Sequence, residues 1–551
     1  MKTYPITGVF GGVDNSTGAR PARLNIVDLQ NSGPAWDLYI QAFQNFTMDP
    51  STELTSFFQV AGIHGYPNIA WDGEQGNGGG IGYCTHGSIL FPTWHRPYMA
   101  LFEQIVWEKA QYIATLYPAS QQDTYVAAAE TLRIPFWDWT MQVGFPQIVN
   151  TTTLTINTPT GQQTIANPLY SYTIPDTSGM PNITPNGEKA YTVRNDGANK
   201  TLTMQASSFH SNMYQLMSRK SDFLHFADAG IPQHHFGIGP PPSLGPLSME
   251  SQHNNIHMSV GQTMADLTIA AFDPVFWLHH ANVDRIFAIY QAIHPDDYVT
   301  PFASSAASYS TPKNTTEDVN SPLYPFHSDD QGTLYTSATS RTTAEFGYTY
   351  PEVADWGVNA DPASLTANVT AIINRMYNPK ATSNLKRDTA PGLSDGNAAK
   401  YNWMINTVAD TSELADSLFI YFYVTTPPTD SASWATDSSV LAITPILVNH
   451  AAGPNHGMII GNQASVSGRL MAHVSDVDPS VALPALKANL QWRAAWANGS
   501  VISFEDMESF QAVNITLAGQ TVQQPASITD FPEYGDLTTY GQVNLGANAT
   551  V

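Results

Sequence analysis

Histidines at helical spacing mark the stretch of the chain where we expect its chemistry. His253 and His257 are four residues apart, so on a helix both imidazole rings leave the same face, one turn above the other. A second helix is predicted to begin with Asp273 as its N-cap and Pro274 at its first position, which places His280 about two turns into it. Three imidazoles without a carboxylate make a nitrogen site that suits copper or zinc better than magnesium or calcium.

A second group of three histidines lies upstream. His64, His86 and His95 fall within 32 residues of the chain. A single pair of histidines four residues apart belongs more often to a packed or solvated helix face than to a metal site. Two triplets, each beside an aromatic-rich amphipathic helix, favour metal ligands instead. The sequence therefore predicts two metal-binding groups of three histidines each.

The residues around both groups resemble a known family. They are Y-C-T-H-G-S-I-L-F-P-T-W-H-R-P-Y (83–98), P-F-W-D-W (135–139) and A-F-D-P-V-F-W-L-H-H-A-N-V-D-R (271–285), followed by F-G-Y-T-Y-P (346–351). These motifs resemble the type-3 dicopper proteins, specifically fungal tyrosinases (polyphenol oxidases) of the long form that carries a C-terminal domain, and the similarity extends over nearly the whole chain. The resemblance implies two copper ions per chain, with O2 as co-substrate. It assigns one copper to His64, His86 and His95, and the other to His253, His257 and His280.

The resemblance also implies roles for neighbouring residues. In the family, a cysteine placed as Cys84 is bonded through its sulfur to a ring carbon of the histidine two residues on, here His86; the alternative is a buried, small apolar residue. Glu250 and Asn254 match positions that hold a water able to deprotonate a phenol. The alternative for these two residues is a surface glutamate and a helix-turn amide.

Three further residues are expected to line the substrate pocket. His257 would lie beneath the substrate ring, and Met258, which follows it, would shape the entrance. Leu267, 13 residues before His280, matches the residue that narrows access to the second copper in the family.

Other metal chemistries fit the residues less well. A zinc hydrolase would usually show H-E-x-x-H, which is absent. A blue-copper centre would need the thiolate of Cys84 and would leave five histidines unexplained. Two copper ions with three neutral imidazoles each fit best.

The expected function is that of a copper-dependent oxidoreductase that ortho-hydroxylates monophenols and oxidises o-diphenols to o-quinones with O2, feeding melanin. Two alternatives stay open at this point. One is a catechol or o-aminophenol oxidase without monophenolase activity. The other belongs to a different class, a haemocyanin-like O2-binding protein that uses the same six histidines but keeps substrates out.

Composition limits the partners. The net charge is −24, from 22 basic against 46 acidic residues, so the surface repels nucleic acid and anionic lipid and favours small neutral or cationic substrates. Among such substrates, the resemblance implies phenols. No apolar run is long enough to span a membrane. A single cysteine excludes an internal disulfide. Residues 1–11 contain no apolar core of a secretory signal, so we expect a cytoplasmic protein, or a secreted one if a signal has been removed.

The length of 551 residues predicts more than one domain. We expect residues 1–378 to form a mainly α catalytic domain built on a four-helix bundle that holds the dicopper site. We interpret residues 379–399 as a linker with a proteolytic site at Lys386-Arg387. Residues 400–551 are expected to form a β-rich domain.

The C-terminal domain is expected to keep the full-length enzyme latent. A tethered domain has an effective concentration on the order of millimolar, so even weak docking would cover the entrance beside His257 and Leu267. The 445–458 segment is the expected source of an apolar or aromatic covering side chain. Within it, His450 and His456 stand where many long family members have C-x-x-C, and we interpret them as surface residues of a hairpin.

Overall fold

The computed structural model describes residues 2–180, 190–230, 245–378, 400–452, 457–503, 506 and 512–543. Within these ranges an N-terminal helical part surrounds one large apolar core, and a C-terminal part made mainly of strands surrounds another. The predicted fold class, a mainly α part followed by a β-rich part, is confirmed.

The described residues form helices of very different length. They are α1 (Ile26–Leu29), α2 (Pro34–Met48), α3 (Phe57–Gly62), α4 (Phe91–Ala114), α5 (Ala119–Thr131), α6 (Ala198–Ser218), α7 (Phe223–Ala227), α8 (Met249–Val260), α9 (Pro274–Ile293), α10 (Pro362–Tyr377), α11 (Ser467–Leu470) and α12 (Pro479–Asn489).

Four of these helices, α4, α6, α8 and α9, form the bundle. Helix α4 packs against α9, α9 against α8, and α8 against α6. Helix α8 begins with a capping box between Ser248 and Ser251 and ends at Gly261, whose φ of +74° is readily adopted only by glycine. As predicted, Asp273 caps α9, because its side chain accepts a hydrogen bond from the Val275 amide at 2.9 Å.

Helix α6 is the bundle helix that the sequence did not reveal. Its buried side chains alternate between apolar residues such as Phe209 and amides such as Gln205, Asn212 and Gln215. An amide that is buried against other amides leaves no apolar stripe in the sequence, so the periodicity that marks α4 is missing here.

A buried ionic cluster fixes α9. Asp284, one turn after His280, accepts hydrogen bonds from Arg23 at 3.1 Å and Arg96 at 2.8 Å. Both tyrosine hydroxyls of the 346–351 motif donate to the same carboxylate, at 2.5 and 2.7 Å. Removing one partner of such a buried set typically costs about 3–5 kcal/mol. The cluster therefore sets the rotation of α9 and, with it, the direction of His280.

Strands are short in the N-terminal part and longer in the C-terminal part. They are β1 (Thr153–Thr158), β2 (Gly161–Ala166), β3 (Thr173–Ile174), β4 (Ala190–Tyr191), β5 (Phe302–Ala303), β6 (Thr316–Glu317), β7 (Pro322–His327), β8 (Leu334–Thr336), β9 (Tyr401–Asp410), β10 (Leu418–Tyr423), β11 (Val440–Ile446), β12 (Ile459–Ser465), β13 (Gln491–Trp496), β14 (Val513–Gln523), β15 (Glu533–Tyr534) and β16 (Thr538–Gln542).

The C-terminal strands form two antiparallel sheets. One has the order β11-β10-β13, and the other has the order β12-β9-β14-β15, with β16 also paired to β14. Strands β11 and β12 pack on α8 and α6 of the bundle. The C-terminal part therefore contacts a helix that carries two of the predicted metal ligands.

Some expectations fall outside the described residues. The predicted linker 379–399, with Lys386-Arg387, lies there, as does His456 in the segment between β11 and β12. His450 is described; its side chain is exposed and lies 3.5 Å from the Asp416 carboxylate. Among the described helices, none is both long and apolar enough to cross a membrane.

Candidate metal centre

Helices α8 and α9 bring three imidazole nitrogens to one point. The Nε2 atom of His280 lies 3.1 Å from Nε2 of His253 and 3.4 Å from Nε2 of His257. All three side chains are completely buried. Three imidazole nitrogens that converge this closely can share one metal ion, so the donor set fits bound copper or zinc.

Hydrogen bonds at Nδ1 orient four of the six predicted ligands. The partners are Leu267 O for His64 (2.9 Å), Phe91 O for His95 (2.7 Å), Asn254 Oδ1 for His253 (2.9 Å) and Met264 O for His257 (2.6 Å). An imidazole that donates its Nδ1 proton to an oxygen keeps the Nε2 lone pair for a metal. Predicted ligands in both groups are thus held in the metal-binding tautomer.

The upstream group converges as well. His64, Cys84 and His95 each offer a ligand atom within 4.8 Å of the others, and Nε2 of His64 has no hydrogen-bond partner among the described residues. The His86 ring centre lies 5.5 Å from that of His64 and 5.7 Å from that of His253. The structure therefore places His86 between the two groups.

Cys84 lies against the His86 ring. Its Sγ atom lies 3.4 Å from Nδ1 and 3.8 Å from Nε2 of His86, and 3.3 Å from Nε2 of His95. Among the carbons of the His86 ring, Cε1 is the one bonded to both of these nitrogens. Burial raises the pKa of the thiol well above its usual range. The position suits the predicted thioether, although a buried free thiol would occupy the same space.

We expect Cys84 to be missing from the titratable thiols of copper-loaded protein, even in denaturant. A thioether would make the peptide that carries Cys84 and His86 lighter by the mass of two hydrogen atoms, which mass spectrometry of a digest measures. Protein prepared without copper is the control and should alkylate fully. Complete alkylation of Cys84 in active, copper-loaded protein would refute the bond.

Burial keeps the clustered imidazoles neutral. It lowers the pKa of His95 to about 3 and that of His257 to about 4. Burial, together with the neighbouring imidazoles, holds the pKa of His64, His86, His253 and His280 well below the usual range. Their lone pairs are therefore available to a metal at neutral pH.

A fourth imidazole adjoins the second group. The His279 ring centre lies 5.0 Å from those of His253 and His257 and packs on Trp139, and neither of its nitrogens has a hydrogen-bond partner in the described part of the chain. Helical spacing from Asp273 pointed to His280 alone, although His279 is its immediate neighbour in the sequence. The short Nε2 distances involve His280 rather than His279.

Glu250 and Asn254 lie one turn apart on α8, beside His253. Glu250 is 1% exposed, and its carboxylate accepts hydrogen bonds from the amides of Gly87 at 2.9 Å and Ala229 at 2.8 Å. The Asn254 side chain is half-buried and bonds to His253. Glu250 is therefore not the surface glutamate of the alternative interpretation.

The C-terminal strands close the predicted entrance. Met258 and Leu267 are only 1% and 3% exposed, because they belong to an apolar cluster with side chains of the C-terminal part. The members from that part are Phe419, Tyr421, Tyr423, Trp434, Val440, Ile443, Leu447 and Ala495. Most of these precede the 445–458 segment that was expected to supply the covering side chain.

The 445–458 segment contributes Leu447 to this cluster and also reaches the upstream group. A Cβ atom at Gly87, directly after His86, would lie 2.1 Å from the Cε atom of Met458. Met458 therefore packs directly against the backbone that carries His86.

A helical bundle with two groups of neutral imidazoles defines the class of dinuclear, all-histidine metal proteins. Residues 54–293 match the family model for the common central domain of tyrosinase, and residues 402–514 match that for the tyrosinase C-terminal domain. The chain belongs to the tyrosinase family, whose members are type-3 dicopper enzymes that use O2.

Comparison with individual relatives supports the same family. The chain is 33% identical to the tyrosinase of Neurospora crassa over 407 residues, covering 67% of this chain and 58% of that protein. It is 31% identical to polyphenol oxidase 2 of Agaricus bisporus, covering 77% and 78%. The structure of recombinant mushroom tyrosinase superposes with a TM-score of 0.80 at 25% identity, covering 97% of this chain and 98% of that one. The predicted family, and with it a copper oxidase, is confirmed.

Proposed function

We propose that this protein is a tyrosinase that ortho-hydroxylates monophenols and oxidises o-diphenols to o-quinones with O2. The observation that carries the proposal is the convergence of buried, neutral imidazoles next to a buried carboxylate, Glu250. Copper ions held by His64, His86 and His95 and by His253, His257 and His280 would bind O2 and supply the redox chemistry.

Glu250 and Asn254 would decide whether a monophenol can react. A neutral phenol is a poor copper ligand, so its hydroxyl must first lose a proton. Burial raises the pKa of Glu250 to about 7, and the amides of Ala229 and Gly87 oppose a larger rise. Near neutral pH a water held by Glu250 and Asn254 can therefore pass the phenol proton to the carboxylate.

We expect Glu250→Gln and Asn254→Ala to slow monophenol turnover by about 100-fold or more, as the loss of a general base does, with a much smaller effect on diphenol turnover. The measurement is kcat/KM for a monophenol and the matching diphenol on the same copper-loaded preparation, so the diphenol serves as the internal control. Equal losses on both substrates would show that these residues only support the site and would favour the catechol or o-aminophenol oxidase.

We further propose the domain limits expected from the sequence, with 1–378 catalytic, 379–399 a linker and 400–551 a cover that makes the full-length enzyme latent. The burial of Met258 and Leu267 beneath C-terminal side chains supports the cover. Quinone formation from a catechol should therefore increase after the cover is removed.

Neutral amides would hold the cover to α8. Asn462 Nδ2 donates to Asn255 Oδ1 at 2.6 Å, and Asn255 Nδ2 donates back to Asn462 Oδ1 at 3.2 Å. Asn212 on α6 donates to the Gln463 carbonyl at 2.8 Å. Among the described residues, no ion pair joins the two parts. The docking should therefore respond to detergent more than to salt.

A further inference from the structure

A second buried carboxyl group lies beside Glu250. Asp228 follows α7 and is 7% exposed, and its Oδ1 accepts a hydrogen bond from the Gly230 amide at 2.6 Å. The Ala229 amide, between these two residues, donates to Glu250. Both carboxyl groups thus bind the same short stretch of backbone.

The two carboxyl groups are close enough for each to change the pKa of the other. The buried Oδ2 atom of Asp228 has no hydrogen-bond partner among the described residues. Two adjacent carboxylates in a buried site cannot both stay ionised, so one of them must hold a proton.

The surroundings place that proton on Asp228. Glu250 receives two backbone N–H bonds, whereas Asp228 receives one. Burial and the neighbouring Glu250 raise the pKa of Asp228 well above its usual range, while the pKa of Glu250 rises only to about 7. Glu317 also contributes to the rise at Asp228, and Cys84 is the thiol whose pKa Glu250 raises.

We propose that Asp228 is a positioning residue for Glu250: its protonated carboxyl group donates a hydrogen bond to the Glu250 carboxylate and keeps that carboxylate ready to accept the proton of a monophenol. The inference rests on the proposed monophenolase function. In this step the phenol proton moves through a water to Glu250, and the Asp228 proton stays where it is. No electron moves between these groups.

A carboxylic acid suits this position because it is a neutral donor. An arginine or lysine would also stabilise the Glu250 carboxylate, but its charge would lower the pKa of Glu250 far more and weaken it as a base. A general base works best when its pKa lies near the working pH, and a neutral O–H donor allows this in a buried site.

The test compares Asp228→Leu, which removes the donor, with Asp228→Asn, which keeps an N–H donor of similar size. Glu250 must be ionised to act, so monophenol turnover should rise with pH through its pKa. In Asp228→Leu we expect the midpoint of this acidic limb of kcat/KM to move to higher pH by at least about one unit. A shift of this size corresponds to the loss of one hydrogen bond to a charged group. In Asp228→Asn the limb should stay near that of the wild type, as should the diphenol profile of both variants.

An infrared measurement keeps the test decisive if Asp228→Leu fails to fold. Above about pH 8, where Glu250 is mostly ionised, the full-length protein should still show absorption from a protonated, buried carboxyl group, and Asp228→Asn should remove that absorption. An unchanged band, or an acidic limb that stays in place in Asp228→Leu, overturns the proposal. If the wild type oxidises diphenols but no monophenol at any pH, the proposed monophenolase function fails, while the infrared result still decides where the proton resides.

Discussion

His257→Ala is expected to bind one copper ion per chain instead of two, with diphenol turnover falling by more than about 100-fold. The Nε2 atom of His257 is one of three that meet near His280, and its Nδ1 is already committed to the Met264 carbonyl. Because alanine offers no donor, the second group would keep too few ligands for a trigonal nitrogen site. Metal analysis, together with a diphenol assay on full-length and trimmed protein, measures both effects.

The adjacent histidines of α9 supply a matched control. His280→Gln should behave like His257→Ala, whereas His279→Gln should keep two copper ions, because the short Nε2 distances involve His280. Zinc, or a single copper ion, at full occupancy in the wild type would contradict the dicopper site. A loss of copper in His279→Gln but not in His280→Gln would show that His279, and not His280, is the metal ligand.

Cleavage near Lys386-Arg387 is expected to raise turnover of a bulky diphenol by at least about tenfold without changing the copper content. A tethered cover acts at an effective concentration of about millimolar, and cleavage removes that advantage. In the full-length chain Met258 and Leu267 lie under aromatic side chains of the C-terminal part, so a bulky substrate has no path between them. Detergent that loosens the apolar contacts should have the same effect.

Asn462→Asp tests the same cover without a protease. The Asn462 side-chain amide now donates to the side-chain Oδ1 of Asn255 at 2.6 Å and to the backbone carbonyl of Pro445 at 2.9 Å. The change would place a carboxylate against these two oxygen atoms. Because an unpaired buried charge is costly, we expect the cover to open and turnover to rise. Asn498→Asp adds the same charge at an exposed position and serves as the control.

Two results would contradict the covering role. One is equal turnover of a bulky diphenol by the full-length and cleaved forms, and the other is no response to Asn462→Asp in protein that contains both copper ions. Cleaved protein that binds O2 but produces no quinone from a catechol would instead support the oxygen-carrier alternative.

The sequence by itself determined those features that depend on local geometry. The spacing of His253 and His257 fixes a shared helix face, and Asp273-Pro274 fixes the start of α9, because both follow from backbone geometry over a few residues. The longer motifs around the histidines then indicated the family by their resemblance to its members. Alternating and apolar runs likewise indicated the strands beyond residue 400.

Only the tertiary structure decided which groups meet across long distances in the chain. Helix α6 stayed hidden because part of its buried face is made of amides that hydrogen-bond to polar groups of α8 and β12, which interrupts the apolar stripe. The seating of the C-terminal sheets on Met258 and the pairing of Asp228 with Glu250 depend on partners far apart in sequence. A buried polar group shows its role only through the partner that compensates its burial, and no local pattern identifies that partner.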